Sequence, residues 1–325
     1  MRSFTFTLLV VFSCARALGQ FAYEDRIRIR EANHISQQFG DLIWDGFNEP
    51  PFSILFIMDD YEYLIEHYYQ PDDFDRIDDY DTLLYSAIHR RPTQMNKSFL
   101  ATFPFAGLNT IVIGTPENTG LNSTGWIITL LHERFHQYQY SSPKYFAEAS
   151  ELGLSNGDDT GMWQLNYPFP YQDSKVVRAY EIYTKALYDA VKSIGMDNWE
   201  NAKTEFFKAR NAFKSSLSPD DYKYISFQWY QEGIARYTEY AFLERLEDYE
   251  PTTEINQLPD FIPFNEYKKT FLEKHMNNVL NLKLEEVGRV TVYDVGFAEA
   301  LIIRELNSDW DKNYLKLKFD LEKLY

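Results

Sequence analysis

The apolar run WIITLL (126–131) leads straight into His132, Glu133 and His136. A largely apolar run that ends in polar groups four apart suits a helix passing through a protein interior. On such a helix, residues i and i+4 stand on one face, one turn apart, so both imidazoles can address one ion. Glu133 sits beside the first histidine, where a carboxylate can take a proton from metal-bound water. One zinc ion suits the set: it accepts nitrogen and oxygen ligands, keeps a position open for water, and brings that water's pKa to about 7. Arg134 puts a charge where the commonest HExxH sequence has an uncharged residue. The competing reading is two histidines on a half-buried helix with an incidental glutamate between them.

A catalytic zinc needs a third protein ligand. Ser142 occupies the place of a third histidine at HExxHxxGxxH spacing, so a carboxylate is required. Glu148 and Glu151 lie close downstream. Glu232, in WYQEGIARYTEY (229–240), is the better candidate, because Gly233 and Ala235 beside it let another helix come near. Glu239, at i+7, shares its face and could orient a ligating histidine through a hydrogen bond.

The first residues, MRSFTFTLLVVFSCARALGQ, have a basic Arg2, an apolar stretch from Phe4 to Phe12, and small residues at Ala15, Ala17 and Gly19. That layout reads as a secretory signal peptide over 1–19, cleaved near Gly19 or Ala17, and too short to span a bilayer comfortably. Phe12 and Ser13 make a poor lipid-attachment box before Cys14. Cys14 is the one cysteine, so the exported chain would have no disulfide and no cysteine-ligated metal. Loss of Arg2 and Arg16 moves the net charge of −17 to −19. A chain this acidic is repelled by phosphate backbones and anionic lipid, which argues against nucleic acid or a charged membrane as partner. No later segment is apolar enough to span a membrane. The abundant aromatics, 25 Tyr and 25 Phe among them, read as core rather than as sugar-stacking platforms.

Hydrophobic spacing predicts a helix over 21–48, stopped by Pro50-Pro51, then a buried strand at FSILFIM (52–58). YEYLIEHYY (61–69) reads as helical. QPDDFDRIDDYD (70–81) reads as a solvated acidic loop, lacking the glycine of a calcium-binding EF-hand. NTIVIG (109–114) is a strand, and Thr124 is a plausible N-cap for the HERFH helix. From Ser174 onward helices are expected at about 174–194, 197–214, 219–246, 264–279, 292–306 and 309–323. The change of character at residue 173 divides the chain into an N-terminal lobe (20–173) with a small sheet and the HExxH helix, and a helical lobe (174–325). Asn96-Lys97-Ser98 and Asn122-Ser123-Thr124 are formal glycosylation acceptors.

HERFH followed by EGIARYTE resembles the gluzincin metallopeptidases, which pair HExxH with a glutamate from a later helix. The resemblance implies a zincin-like α+β fold, mainly helical, with His132, His136 and Glu232 as ligands of one zinc and Glu133 as general base. VYDVGFAEALIIREL (292–306) is similar to the Tyr-x-x-Gly-Phe-Ala stretch of the aminopeptidase branch, which implies that Tyr293 stabilises the oxyanion. GTPEN (114–118) is similar to the Gly-x-Met-Glu-Asn element of that branch, with Pro116 in place of methionine. It implies a substrate-edge role for residues 110–114 and an amine anchor at Glu117. The likeness covers about residues 99–306 at motif level, and Glu232 comes 96 residues after His136, farther than the usual gap. The expected activity is that of an exported zinc metallopeptidase acting on a peptide or protein. The alternatives are a catalytically silent binding module of the same fold and a zinc hydrolase of a non-peptide amide or ester. A serine or cysteine hydrolase lacks its motifs.

Overall fold

The computed structural model describes residues 21–158 and 160–325; the signal-peptide reading of 1–19 lies outside them. The fold is α+β and mainly helical. Helix α1 (Tyr23–Ile43) buries Ile27, Ala32 and Ile35. It stops short of the expected residue 48 because Trp44 turns extended. This sends the indole into the core, where its Nε1 donates to Thr238 Oγ1 at 3.0 Å.

Six strands follow: β1 (Ile54–Ile57), β2 (Tyr61–Ile65), β3 (Asp75–Asp81), β4 (Ser86–Pro92), β5 (Leu100–Phe105) and β6 (Leu108–Gly114). They form one sheet in the order β3-β4-β2-β1-β6-β5. Only β1 and β6 run parallel; the other neighbouring pairs are antiparallel. Alternation along the strands feeds two apolar clusters. Ile54, Phe56, Tyr63, Ile65, Ile111 and Ile113 join the main core, while Leu55, Ile57, Leu64 and Val112 cover the other face with Phe74.

Two sequence expectations fail in this sheet. Residues 61–65 are a strand, not a helix. Glu62 stands fully buried within that strand, and its charge masks the period-two pattern. Its Oε1 takes a bond from Arg91, and its Oε2 accepts from the backbone N–H of Gln94 and Met95 at 3.1 Å each. Residues 75–81 are also a strand rather than a loop. At the sheet's outer edge β3 is exposed at every residue but Asp81, so it has no apolar alternation to read.

Beyond the sheet come the one-turn helix α2 (Pro116–Thr119) and then α3 (Ser123–Ser141), which carries HERFH. Asn122, not Thr124, caps α3: its Oδ1 accepts from Gly125 N at 2.7 Å. The Thr124 hydroxyl instead exchanges two bonds with the Ile262 backbone, 2.6 and 2.8 Å long. Short helices α4 (Tyr145–Ser150) and α5 (Trp163–Asn166) precede the long α6 (Ser174–Ser193) and α7 (Trp199–Lys214). Next, α8 (Pro219–Gln228) continues through a π-helical turn (Trp229–Gly233) into α9 (Ile234–Arg245). The remaining helices are α10 (Thr253–Asn256), α11 (Phe264–Asn281), α12 (Leu284–Val287), α13 (Thr291–Leu306) and α14 (Asp311–Tyr314). The helix expected over 309–323 shrinks to α14 and a closing 3₁₀ turn. Phe319 takes φ 66°, a left-handed conformation that ends any helix, and packs its ring on Tyr145, Phe227 and Tyr230.

The centre of the fold is α3, packed against β5, β6, α1 and α9. Trp126 Nε1 donates to Gly114 O at 2.8 Å, which joins the start of α3 to the end of β6. The main core includes residues from both sides of residue 173, among them Trp126, Leu130, Tyr183, Trp229 and Phe297. Among the described residues, no helix is long and apolar enough to cross a membrane.

Candidate metal centre

His132, Glu133 and His136 occupy one buried turn of α3, with one potential ligand atom from each within 4.8 Å of the others. The Nδ1 atoms of both histidines are engaged. His132 Nδ1 lies 2.6 Å from Glu239 Oε1, and His136 Nδ1 lies 2.6 Å from Gln139 Oε1. Gln139 is itself oriented, because its Nε2 donates to Tyr314 Oη at 2.6 Å and to Gln231 O at 3.1 Å. An acceptor opposite each Nδ1 favours a proton there, which makes Nε2 the atom of each ring that a metal would take.

Both Nε2 atoms face Glu232. Its Oε2 lies 3.5 Å from His136 Nε2 and 3.7 Å from His132 Nε2. Ligand atoms about 2.0–2.1 Å from a tetrahedral zinc lie about 3.3–3.4 Å apart, so each of these two separations is within a few tenths of an ångström of what a shared ion requires. Glu232 projects from the π-helical turn. Such one-turn insertions shift the register of a helix locally and recur at functional sites. Glu148 instead meets Lys318 Nζ at 2.6 Å, and Glu151 is exposed.

Electrostatics matches this arrangement. Burial works against the charged form of Glu232, but His136, Arg289 and His132 outweigh it and hold the carboxyl well below its ordinary range. Burial also presses the His132 imidazole down, while Glu232 and Glu239 overcome it and lift the group to about 9. The same balance, led by burial and reversed by Arg236 and His132, lowers Glu239. His132 thus holds a proton between Glu232 and Glu239, and a divalent cation at this place would displace the one on Nε2.

Glu133 is 4 % exposed and has Thr102 Oγ1 of β5 at 2.9 Å from both its Oε2 and its backbone oxygen. Tyr293 begins α13, its ring 6.1 Å from that of His132. Its hydroxyl oxygen accepts from Arg289 Nη1 at 3.3 Å. Burial and the Glu232 charge raise the phenol above its ordinary value against the pull of Arg289, so it keeps its proton at neutral pH. A second half-buried phenol, Tyr140, stacks on His136 at 5.9 Å.

Arg134 turns away from this cluster. Its guanidinium donates to the carbonyls of Pro50 and Pro51 and to Gln137 Oε1, and lies over the rings of Phe47 and Phe52. The charge that looked misplaced inside HERFH therefore anchors the segment before β1.

The substrate-edge expectation for residues 110–114 is not met. Strand β6 is paired on both sides, by β1 and by β5, and has no open edge; the sheet ends at β5. Glu117 is exposed on α2. Sequence reading also missed Arg289, Thr102, Gln139 and Tyr140. Gln139 and Tyr140 left a legible mark, three and four residues after His136 and hence on the same helix face. Arg289 and Thr102 reach the site through contacts distant along the chain. No protein-family model, curated protein or solved structure matches the chain.

Proposed function

We propose that the chain is an exported zinc-dependent metallopeptidase. One observation carries the reading: a single carboxylate oxygen of Glu232 stands 3.5 and 3.7 Å from the Nε2 atoms of His136 and His132. These three side chains would hold the ion. Zinc bound there would supply a Lewis acid that polarises a carbonyl and makes hydroxide available near neutral pH. Glu133 takes the proton of the attacking water and delivers it to the leaving amine. The Thr102 hydroxyl holds that carboxylate in place. Tyr293 keeps its O–H at neutral pH and donates it to the carbonyl oxygen as negative charge develops there. Burial of the cluster strengthens each of these interactions relative to water.

Elemental analysis of purified protein should find one zinc per chain, lost in Glu232→Ala and retained in Glu148→Ala and Glu151→Ala. Zinc that survives Glu232→Ala would refute the ligand set. On a peptide library, Glu133→Gln should abolish cleavage while keeping the metal. Equal turnover by wild type and this variant would sink the enzymatic reading.

A further inference from the structure

We propose that Arg289 is a positioning residue of this site: it holds Glu232 to the metal through one oxygen and aims the Tyr293 hydroxyl. The proposal rests on the zinc reading above. Arg289 Nη2 donates to Glu232 Oε1 at 2.7 Å, while Glu232 Oε2 is the atom facing the two histidines. The carboxylate is thereby divided, one oxygen for a cation of the protein and one for a metal. Arg289 Nη1 reaches Tyr293 Oη at 3.3 Å. A phenol oxygen that accepts from a guanidinium still has its own proton to give, and that proton is left for a substrate oxygen.

The guanidinium is itself held. Its Nε donates to Gln228 Oε1 at 2.9 Å, and Gln228 Nε2 donates to Gln164 O at 2.8 Å. The backbone before it is specialised as well. Gly288 has φ 54° and ψ −125°, a region that side-chain-bearing residues avoid, and it turns the chain between α12 and α13 so that Arg289 enters the site. One planar fork thus joins Gln228 of α8, Glu232 of the π-helical turn and Tyr293 of α13. Lysine cannot reproduce this, because its single nitrogen has no fixed planar geometry.

The test measures zinc affinity by competition with a chromogenic chelator, alongside peptide turnover, for wild type, Arg289→Ala and Arg289→Lys. Circular dichroism of the metal-free proteins checks that each variant folds. Arg289→Ala should bind zinc about 10- to 100-fold more weakly, the usual effect of losing a partner of a metal ligand. Millimolar methylguanidinium should restore much of that affinity, and sodium chloride at equal ionic strength should not. Arg289→Lys should keep most of the zinc affinity, yet lose kcat with little change in KM, because the phenol is no longer aimed. Unchanged zinc affinity in Arg289→Ala, or no rescue by methylguanidinium, overturns the proposal. Should Arg289→Ala fail to fold, Arg289→Lys decides: wild-type affinity together with wild-type kcat overturns it. A wild type that binds no zinc removes the metal reading itself, an outcome distinct from a zinc-binding wild type matched by Arg289→Ala.

Discussion

Gly233 and Gly296 meet backbone to backbone: a Cβ on Gly233 would stand 2.3 Å from Gly296 Cα, and one on Gly296 would stand 2.7 Å from Gly233 Cα. The π-helical turn bearing Glu232 is thereby pressed against α13, the helix bearing Tyr293. Gly233 was expected to admit a neighbouring helix. The neighbour it admits is α13, not the histidine helix. Neither side can yield, since backbone faces backbone.

Gly233→Ala or Gly296→Ala should therefore separate the two elements, costing about 1–3 kcal/mol of stability, the usual range for overpacking. Zinc affinity should fall in step, because Glu232 moves with its turn. Calorimetry of the metal-free variants and a zinc titration check this. Wild-type values in both would mean that the contact is slack.

The Nδ1 partners of the histidines make a second expectation. Glu239→Leu and Gln139→Leu each remove the acceptor opposite an imidazole Nδ1. Each should weaken zinc binding by about 10- to 100-fold without displacing the ligands themselves. Glu239→Leu should cost more, since the carboxylate it removes also raises the basicity of the ring it faces. Chelator competition measures both, and equal affinity in all three proteins would count against the assigned tautomers.

Glu66 predicts a pH dependence away from the histidine cluster. Burial lifts its carboxyl to about 7, and the Arg134 charge only partly offsets this. The folded chain therefore holds a proton there between about pH 4.5 and 7 that the unfolded chain releases. Stability from this group is fully present below about 4.5 and is lost as pH rises through 7. Glu66→Gln removes that loss, so the variant should gain on wild type as pH rises from about 5 to 7.5, by at most about 3 kcal/mol. Urea melts at pH 5 and pH 8 test it. A variant equally displaced from wild type at both values would refute the assignment.

Legibility in the sequence followed the range of the interaction. The HERFH turn could be read because 3.6-residue periodicity places His132 and His136 together whatever surrounds them. The helices α6, α7, α11 and α13 could be read for the same reason, each from its own apolar stripe. Strand β2 could not, because Glu62 breaks its alternation and is neutralised by Arg91 from β4. Nor could β3, an edge strand with little of its surface buried.

Local chemistry in the chain determined that one helix carries two imidazoles and a carboxylate on a buried turn, and that a later helix offers Glu232 and Glu239. Tertiary structure alone decided that Glu232 and not Glu148 or Glu151 meets those imidazoles, that Glu239 reaches the Nδ1 of His132, and that Arg289 joins Glu232 to Tyr293. The physical reason is distance along the chain. A hydrogen bond between residues three or four apart is implied by helix geometry, whereas one between residues 57 or 107 apart exists only once packing has brought their backbones together.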